Sequence, residues 1–223
     1  MKSGEISIQQ IKNIGIGLNR LHLSDGRALL CPDDYLPQSL SETLTEGRSL
    51  SAHEIDELAF SSACYKAEKA ATLLVQRAEQ SVAGLRRKLG KKNIVSNKSA
   101  SGSKMQAAAI EAVIERLLAK GLLSDERFTR LWLEGKIRGG SNTLCPAKLK
   151  IGLKQRGIGY DTITGEMEKA LSPEIEMAML QRRVAKLRGK KAGQNLEHEG
   201  LRRLLRQEGF SKEAIGLWAE EEG

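Results

Sequence analysis

The residues with the clearest capacity for chemistry are basic side chains that flank three similar Leu-x-x-x-Leu segments. In each segment the residue after the first Leu is basic, and in the second and third segments another basic residue follows four positions later, where the first has Gly90. Because successive helical residues are turned by about 100°, the two Leu would face a core and the basic side chains would lie outside. Guanidinium and ammonium groups suit phosphates or an acidic partner surface. We therefore predict a discontinuous basic stripe that contacts such a partner, made of Arg86, Arg87, Lys150, Lys154, Arg202, Arg203 and Arg206.

The charge of the chain is unevenly distributed. Residues 1–60 contain 5 basic and 9 acidic side chains, a net charge of −4, whereas residues 61–223 contain 31 basic and 19 acidic ones, a net charge of +12. A basic body of this kind indicates a polyanionic ligand or an acidic partner. The alternative is an ordinary solvated Lys and Arg surface that only aids solubility.

Residue patterns typical of enzymes, cofactor sites and metal sites do not occur. The sequence has no GxGxxG, GxxxxGK[ST], HExxH or GxSxG motif. The histidines His22, His53 and His198 are far apart, and the three cysteines form no CxxC pair. We therefore expect no catalytic site, no metal and no cofactor. Unpaired cysteines are typical of a reducing compartment, and no stretch of about 18 apolar residues is present, so we expect a cytoplasmic protein.

The aromatic residues do not favour base stacking as the main mode of binding. Phe128, Trp132 and Trp218 stand at helical spacing among apolar neighbours, which is typical of core residues. Cys31, Cys64 and Cys145 are likewise expected to be small buried or half-buried side chains. The basic residues thus remain the candidate contact residues.

The first part of the chain alternates like β-strands and then changes to a helical period. Ile6-Ser7-Ile8 and Leu21-His22-Leu23 alternate, and Asp25-Gly26 stands between two apolar runs as a hairpin signal. Residues 5–31 therefore predict a small antiparallel sheet, followed by a helical turn between Pro32 and Pro37. Ser51-Ala52-His53-Glu54 is a capping box that begins the first helix, and Ser172-Pro173-Glu174 predicts another helix start.

The most informative feature of the sequence is an internal repeat. Residues 85–94, 149–158 and 201–210 share two Leu four residues apart, then Gly or Asn, then an apolar residue. The Leu pair would be structural, the Gly or Asn would end the helix in the left-handed conformation, and the apolar residue would fold back. Eleven extra residues in the first copy are assigned to a flexible Ser- and Lys-rich loop at 96–106.

The predicted fold is mainly α, with tandem three-helix repeats that stack into an elongated, curved array behind an N-terminal β-hairpin extension. The predicted segments are 1–60 for the extension and first helix, then repeats at 61–123, 124–171 and 172–223. The six leucines of the three segments are expected in the core. They are Leu85, Leu89, Leu149, Leu153, Leu201 and Leu205.

One stretch between the first two repeats resembles the RecX family of recombinase regulators. In that family a Leu-x-x-x-Gly-x-Leu-x-Asp-x-x-Phe pattern ends one repeat and begins the next. It is matched here by Leu117, Gly121, Leu123, Asp125 and Phe128. Arg77, Ser81 and residues 85–89 are similar to the first repeat of the family, and the runs ending at Ile158 and Phe210 are similar to the second and third. The resemblance covers about residues 61–222.

The resemblance implies a protein that binds the RecA recombinase, chiefly its filament on single-stranded DNA. RecX-like proteins limit recombination, filament-dependent ATP hydrolysis and the coprotease activity of the SOS response. We therefore expect a monomeric, non-enzymatic RecA regulator that contacts single-stranded DNA through its basic stripe. Two alternatives remain open, a sequence-independent DNA-binding protein and a helical adaptor for another acidic partner.

Overall fold

The computed structural model describes residues 5–95, 99–139, 145–189 and 198–221. Most of these residues are helical, behind a small N-terminal sheet, as the sequence predicts. In the described part of the chain, no helix is long and apolar enough to cross a membrane. The chain divides into two compact units, one formed by residues 1–78 and 85–123 and the other by residues 79–84 and 124–223.

The first unit begins with a four-stranded antiparallel sheet in the order β3-β2-β1-β4. Its strands are β1 (Ile6–Gly15), β2 (Leu18–Leu23), β3 (Ala28–Pro32) and β4 (Ser49–Leu50). The predicted Asp25-Gly26 turn joins β2 to β3, with Gly26 at a φ of 84° and the amide of Leu23 donating to the Arg27 carbonyl at 2.9 Å. The predicted helical turn is a 3₁₀ turn at Asp33–Tyr35, and a short helix α1 follows at Gln38–Ser41. The strand β4 has no counterpart in the sequence predictions.

Three helices complete the first unit, namely α2 (Ala52–Arg77), α3 (Val82–Gly90, from Leu85 onwards) and α4 (Ala100–Ala119). The helix α2 covers the sheet, and its residues Ile55 and Leu58 are buried against Ile8, Leu21 and Leu23. It runs unbroken to Arg77, so the predicted boundary at residue 60 falls inside a helix.

The predicted capping box of α2 is confirmed. The Ser51 hydroxyl accepts from the amide of Glu54 at 3.3 Å, and the Glu54 carboxylate accepts from the amide of Ser51 at 2.8 Å. These bonds satisfy donors that the first helical turn leaves free.

We expect the stability difference between wild type and Glu54→Gln to depend on pH. Hydrogen bonds from the Ser51 amide and hydroxyl, with a further contribution from Arg48, lower the pKa of Glu54 below its ordinary value of 4.5. A lowered folded-state pKa contributes stability that is complete above the unfolded pKa and is lost as pH falls through the folded one. Denaturant unfolding should give wild type a higher free energy of unfolding than Glu54→Gln near neutral pH, and this difference should shrink below pH 4.5. A difference that stays constant with pH would contradict this role of the charge.

The predicted flexible loop at 96–106 is wrong for the part that is described. The helix α4 begins at Ala100, and Ser99 caps it by accepting from the amide of Gly102 at 3.2 Å. The small residues that resemble a linker are compatible with a helix once a Ser provides the cap. The helix α4 has 20 residues, against 11 and 10 in its counterparts α7 and α10, so the described part of the insertion extends a helix. Residues 96–98 lie outside the described part of the chain.

The added turns of α4 have a structural consequence inside the first unit. Ser101, Gly102 and Met105 form one wall of a cavity of about 560 Å³. The other walls come from residues 27–29 at the start of β3, from α2 and from residues 94–95 after α3.

The second unit contains six helices, α5 (Asp125–Arg138), α6 (Pro146–Lys154), α7 (Tyr160–Ala170), α8 (Pro173–Arg188), α9 (His198–Gln207) and α10 (Lys212–Glu221). The predicted start of α8 is confirmed, since the Ser172 hydroxyl accepts from the amide of Ile175 and Pro173 opens the helix. The described helices α2–α4, α5–α7 and α8–α10 fall in threes within the predicted segments, apart from the early start of α2. The division into repeats itself stays a prediction.

The leucine pairs of the repeat are structural, as predicted. All six of these leucines are at most 2% exposed. The apolar residues that fold back after each segment, Ile94, Ile158 and Phe210, are also buried. The repeat pattern therefore describes the core of both units.

Two of the three predicted helix ends have the expected left-handed glycine. Gly157 has a φ of 79° and Gly209 a φ of 84°. The amide of Ile158 donates to the Leu153 carbonyl, and the equivalent bond runs from Phe210 to Leu205, both at 3.2 Å. The prediction for Asn93 is wrong, because no residue other than glycine has positive φ among the described residues. The helix α3 ends at Gly90, so Asn93 lies beyond the position that would need this conformation.

A contact at the end of α9 joins it to the start of α6. The backbone carbonyl of Glu208 accepts a hydrogen bond from the amide of Ala147 at 3.0 Å. A Cβ atom on Gly209 would lie 3.2 Å from the same amide nitrogen. The missing side chain of Gly209 thus lets the two backbones approach.

An equivalent contact occurs at the end of α6. The carbonyl of Arg156 accepts from the Ser81 hydroxyl at 3.0 Å, just before the left-handed Gly157. A Cβ atom on Gly157 would lie only 2.3 Å from the Cβ of Ala83. Both contacts place a left-handed glycine of one Leu-x-x-x-Leu segment against the start of the preceding segment's helix.

Candidate partner and nucleic-acid interface

The helix α6 presents two of the predicted contact residues from a short, firmly anchored element. Pro146 opens the helix, Leu149 and Leu153 are fully buried, and Gly157 follows its last turn. Lys150 and Lys154 are four residues apart and therefore lie on one side of the helix. Lys154 is exposed, whereas Lys150 is half-buried. No carboxylate occurs in residues 145–160, so the sequence of this segment supplies only positive charge.

The helix α9 presents three more of the predicted contact residues in the same unit. Arg203 and Arg206 are exposed, while Leu201 and Leu205 are buried on the opposite side. Arg202 is half-buried, and its Nε is a buried donor without a hydrogen-bond acceptor. Its position is therefore less suited to a partner than those of the two exposed arginines.

A backbone contact brings the basic part of α9 near the basic part of α6. The Glu208 carbonyl bonds to the amide of Ala147, which joins the end of α9 to the start of α6. Arg206 is two residues before this junction, and Lys150 is three residues after it. The end of α9 therefore meets the start of α6, with basic residues on both sides of the junction.

The two remaining predicted residues, Arg86 and Arg87, lie on the part of α3 that belongs to the first unit. Arg87 is exposed. Arg86 forms a two-pronged ion pair with Glu111 on α4, with N–O distances of 2.6 and 2.7 Å. Hydrogen bonding to Arg86 lowers the pKa of Glu111, so the carboxylate stays charged and offsets the arginine. Arg86 is therefore a weaker candidate for an external anion than Arg87.

Comparison with known proteins gives a likeness of fold. Neither a family model nor a curated protein sequence matches the chain. A crystal structure of the regulatory protein RecX superposes with a TM-score of 0.69 at 16% identity, covering 96% of this chain and 99% of that one. RecX from Lactobacillus salivarius superposes with a TM-score of 0.55 at 15% identity, covering 71% of this chain and 96% of that one.

The chain has the RecX fold. The residues that carry the sequence resemblance to RecX have structural roles within this fold. Gly121 ends α4 at a φ of 66°, and Leu117 and Leu123 are 2% exposed. The Asp125 carboxylate accepts from the amide of Val82 at 2.8 Å, and Phe128 packs against the core of the second unit. These residues therefore explain the fold and not the binding of a partner.

The aromatic residues predicted to belong to the core do so in this RecX fold. Trp218 is 1% exposed, and Phe128 and Trp132 are partly buried against the same core. Trp132 packs beside Gly152, where a Cβ atom would lie 2.8 Å from the indole ring. The guanidinium of Arg156 lies 4.8 Å from the centre of that indole.

Tyr160, at the start of α7, is an exposed aromatic residue that the sequence patterns do not indicate. Tyr160 is 61% exposed, and the ammonium of Lys150 lies 5.2 Å from its ring centre. A single Tyr after Gly-Ile-Gly forms no periodic pattern, and nine residues separate it from Lys150, so the sequence does not indicate the contact. The only available signal was its place at a helix start, directly after a carboxylate-free basic segment.

The described residues offer little acid–base or nucleophilic chemistry. Burial raises the pKa of the Cys31 thiol to about 12 and that of Cys64 to about 11, so both thiols stay protonated. All three cysteines are buried and free, as predicted. Within the described ranges, no group of three or more His, Cys, Asp or Glu side chains could hold a metal ion. Positive charge is therefore the main chemical feature of the candidate interface.

Proposed function

We propose that this protein is a regulator without catalytic activity that binds the RecA recombinase on single-stranded DNA. It inhibits filament-dependent recombination, ATP hydrolysis and SOS coprotease activity, and it acts in the cytoplasm as a monomer. The observation that carries the proposal is the likeness of fold, which extends over nearly the full length of both this chain and a regulatory RecX protein. The exposed basic residues on helices α3, α6 and α9 support it.

The proposed contacts with the filament are the seven predicted basic residues, of unequal weight. Arg87, Lys154, Arg203 and Arg206 are exposed, and none of them forms an ion pair within the described part of the chain. Their charge is therefore available to phosphates or to acidic side chains of the recombinase. Arg86 and Arg202 contribute less, because one is paired with Glu111 and the other is half-buried.

A second candidate function is sequence-independent binding of DNA, which would affect recombination only by competing for strands. The carboxylate-free segment 145–160 favours this candidate. Pure phosphate binding weakens steeply with salt, whereas a specific protein interface retains affinity at moderate salt. Binding to RecA-coated and bare single-stranded DNA over a salt series therefore separates the two functions.

We expect the variant Arg87→Ala/Lys154→Ala/Arg206→Ala to lose most of its inhibition of RecA ATP hydrolysis on single-stranded DNA. Each lost phosphate or carboxylate contact removes about 0.5–1 kcal/mol or more, so the half-inhibitory concentration should rise by roughly 10-fold or more. The measurement is steady-state ATP hydrolysis by RecA on single-stranded DNA as each protein is titrated in. The molar ratio of added protein to RecA protomers is kept well below one.

The matched control is Lys69→Ala/Arg130→Ala/Lys212→Ala, which removes the same charge from exposed positions outside the predicted stripe. It should inhibit RecA as well as wild type does. Equal losses in both variants would mean that net charge and not position matters. No inhibition by wild type until bare DNA is saturated would contradict the proposed function and favour the general DNA-binding candidate.

A further inference from the structure

A small surface on helices α6 and α7 combines an exposed aromatic ring with cations. Tyr160 at the start of α7 is 61% exposed, and it is the one aromatic residue among the exposed large hydrophobic side chains of the described residues. Lys150 on α6 holds its ammonium 5.2 Å from the ring centre, a cation–π distance. The Lys150 ammonium contacts one side of the Tyr160 ring, and the exposed fraction of Tyr160 leaves other ring surface available to a ligand.

Two further side chains extend this surface along α6. Lys154 is exposed one helical turn beyond Lys150, about 6 Å along the axis. Ile151, beside them on the helix surface, is 54% exposed and adds apolar area. The nearest carboxylate in the sequence is Asp161, which is turned by about 100° around α7 from Tyr160. The surface therefore combines flat or apolar groups with cations.

This combination matches a single-stranded nucleic acid better than the other ligands that its charge would allow. Unpaired bases present flat faces that stack on tyrosine, and the phosphates between them pair with lysine. In a duplex the base faces are covered by their neighbours, so a duplex would use only the lysines. An acidic polypeptide would likewise pair with the lysines but would supply no flat partner for the ring.

We propose that Tyr160, Lys150 and Lys154 form a subsite for single-stranded DNA, in which one base stacks on Tyr160 and the adjoining phosphates bind the lysines. Ile151 contacts the sugar or the next base. The choice of DNA rests on the proposed function. The subsite gives the strand contact of that function a position, and it requires no particular base because every base has a flat face.

The fold holds this subsite in place through buried neighbours. Leu149 and Leu153 fix α6, and Ile163 fixes α7 three residues after Tyr160, all with no exposed surface. The Tyr160 carbonyl accepts from the Thr164 hydroxyl at 3.0 Å inside the first turn of α7. The ring and the two lysines are therefore presented by rigid elements, and truncating the exposed ring leaves the core intact.

The test measures binding of the full chain to a labelled oligodeoxythymidylate and to an abasic oligomer of the same length by fluorescence anisotropy. We expect Tyr160→Ala to weaken binding of the thymidine oligomer roughly 10-fold, and Tyr160→Phe to keep wild-type affinity because stacking needs only the ring. Wild type should bind the abasic oligomer about 10-fold more weakly than the thymidine oligomer, and Tyr160→Ala should bind both alike. The control Leu217→Ala removes another exposed apolar side chain, on α10, and should change nothing.

The lysines have a separate readout in the salt dependence. Each lost phosphate contact on a single strand lowers the slope of log K against log salt by about 0.7, so Lys150→Ala/Lys154→Ala should lower it by about 1.4. An unchanged slope would overturn the role of the lysines. Displacement of the oligomer by polyglutamate, together with equal binding of abasic DNA, would show that the surface recognises charge alone and would overturn the subsite.

The RecA ATP hydrolysis assay distinguishes failure of this subsite from failure of the proposed function. Suppose that wild type inhibits RecA, that Tyr160→Ala binds the thymidine oligomer as tightly as wild type does, and that wild type binds abasic and thymidine oligomers alike. This result overturns the subsite and leaves the proposed function standing. Wild type that fails to inhibit RecA but shows Tyr160-dependent stacking supports the subsite and overturns the function.

Discussion

Replacing Gly157 with Ala is expected to lower the free energy of unfolding by about 3 kcal/mol, from two separate effects. Gly157 has a φ of 79°, a conformation in which an L side chain is strained by about 1 kcal/mol. The new Cβ would also lie 2.3 Å from the Cβ of Ala83, so either α6 or the start of α3 must move. Overpacking of this kind costs about 1–3 kcal/mol.

Two other glycines separate these effects. Gly121 has a φ of 66°, but a Cβ there would meet nothing within 4 Å, so Gly121→Ala should cost only about 1 kcal/mol. Gly165 lies inside α7 with ordinary φ and open space, so Gly165→Ala should stabilise by about 0.5–1 kcal/mol. Denaturant unfolding followed by circular dichroism measures all three. Equal losses for Gly121→Ala and Gly157→Ala would show that the contact with Ala83 is unimportant.

The position of Gly157 could be predicted from the sequence because its determinants are local. A Leu pair four residues apart, a glycine four later and an apolar residue after it define a helix, its end and its return to the core. The same rule fails at Asn93, where α3 has already ended at Gly90. A pattern of spacing identifies the buried residues reliably, but the last helical residue depends on contacts that spacing does not contain.

The extended α4 shows how composition can mislead. Residues 99–106 are mostly small and polar, with three serines, a glycine and a lysine, which is a composition typical of linkers. Ser99 provides an N-cap for α4. The residues after it extend a helix that already exists, and extending a helix costs less free energy than nucleating one. Helical contacts with the rest of the first unit, such as Met105 at the cavity wall, favour the helix further.

The candidate site was predicted only in part, for a physical reason. Helical periodicity places Arg87, Lys154, Arg203 and Arg206 outside, and all four are exposed. Periodicity contains no information on partners distant in sequence, such as Glu111, which pairs with Arg86 across 25 residues. The exposure of Tyr160 likewise depends on how α6 and α7 pack. Charge can be read from sequence, but its neutralisation and the neighbouring aromatic surface require tertiary structure.

The ion pair between Arg183 on α8 and Glu208 after α9 is the second place where we expect a large effect. The Arg183 Nε donates to Glu208 Oε2 at 2.7 Å, and a second, shorter bond joins the other guanidinium nitrogen to Oε1. The side chains are only 12% and 14% exposed. The backbone carbonyl of Glu208 also accepts from Ala147, so this pair lies beside the junction of α9 and α6.

Arg183→Met should destabilise the protein by about 3 kcal/mol, because it leaves the Glu208 carboxylate largely buried without its cation. The variant Glu208→Leu should destabilise similarly by stranding the guanidinium. The double variant Arg183→Met/Glu208→Leu should recover most of the loss, since apolar side chains of similar volume replace a buried pair at little cost. Unfolding free energies of the four proteins form a double-mutant cycle.

The control for this cycle is Arg138→Met on the surface of α5. The Arg138 side chain is 84% exposed, and its guanidinium lies 4.0 Å from the carboxylate of Glu134. It should change stability by less than about 0.5 kcal/mol, because water screens such pairs. If the effects of Arg183→Met and Glu208→Leu simply add, the two side chains act independently and the junction of α9 and α6 is held by the backbone bond and the packing around Gly209 alone. A coupling of about 2 kcal/mol or more would instead show that α8 secures the end of α9, and with it the positions from which Arg206 and Lys150 are presented.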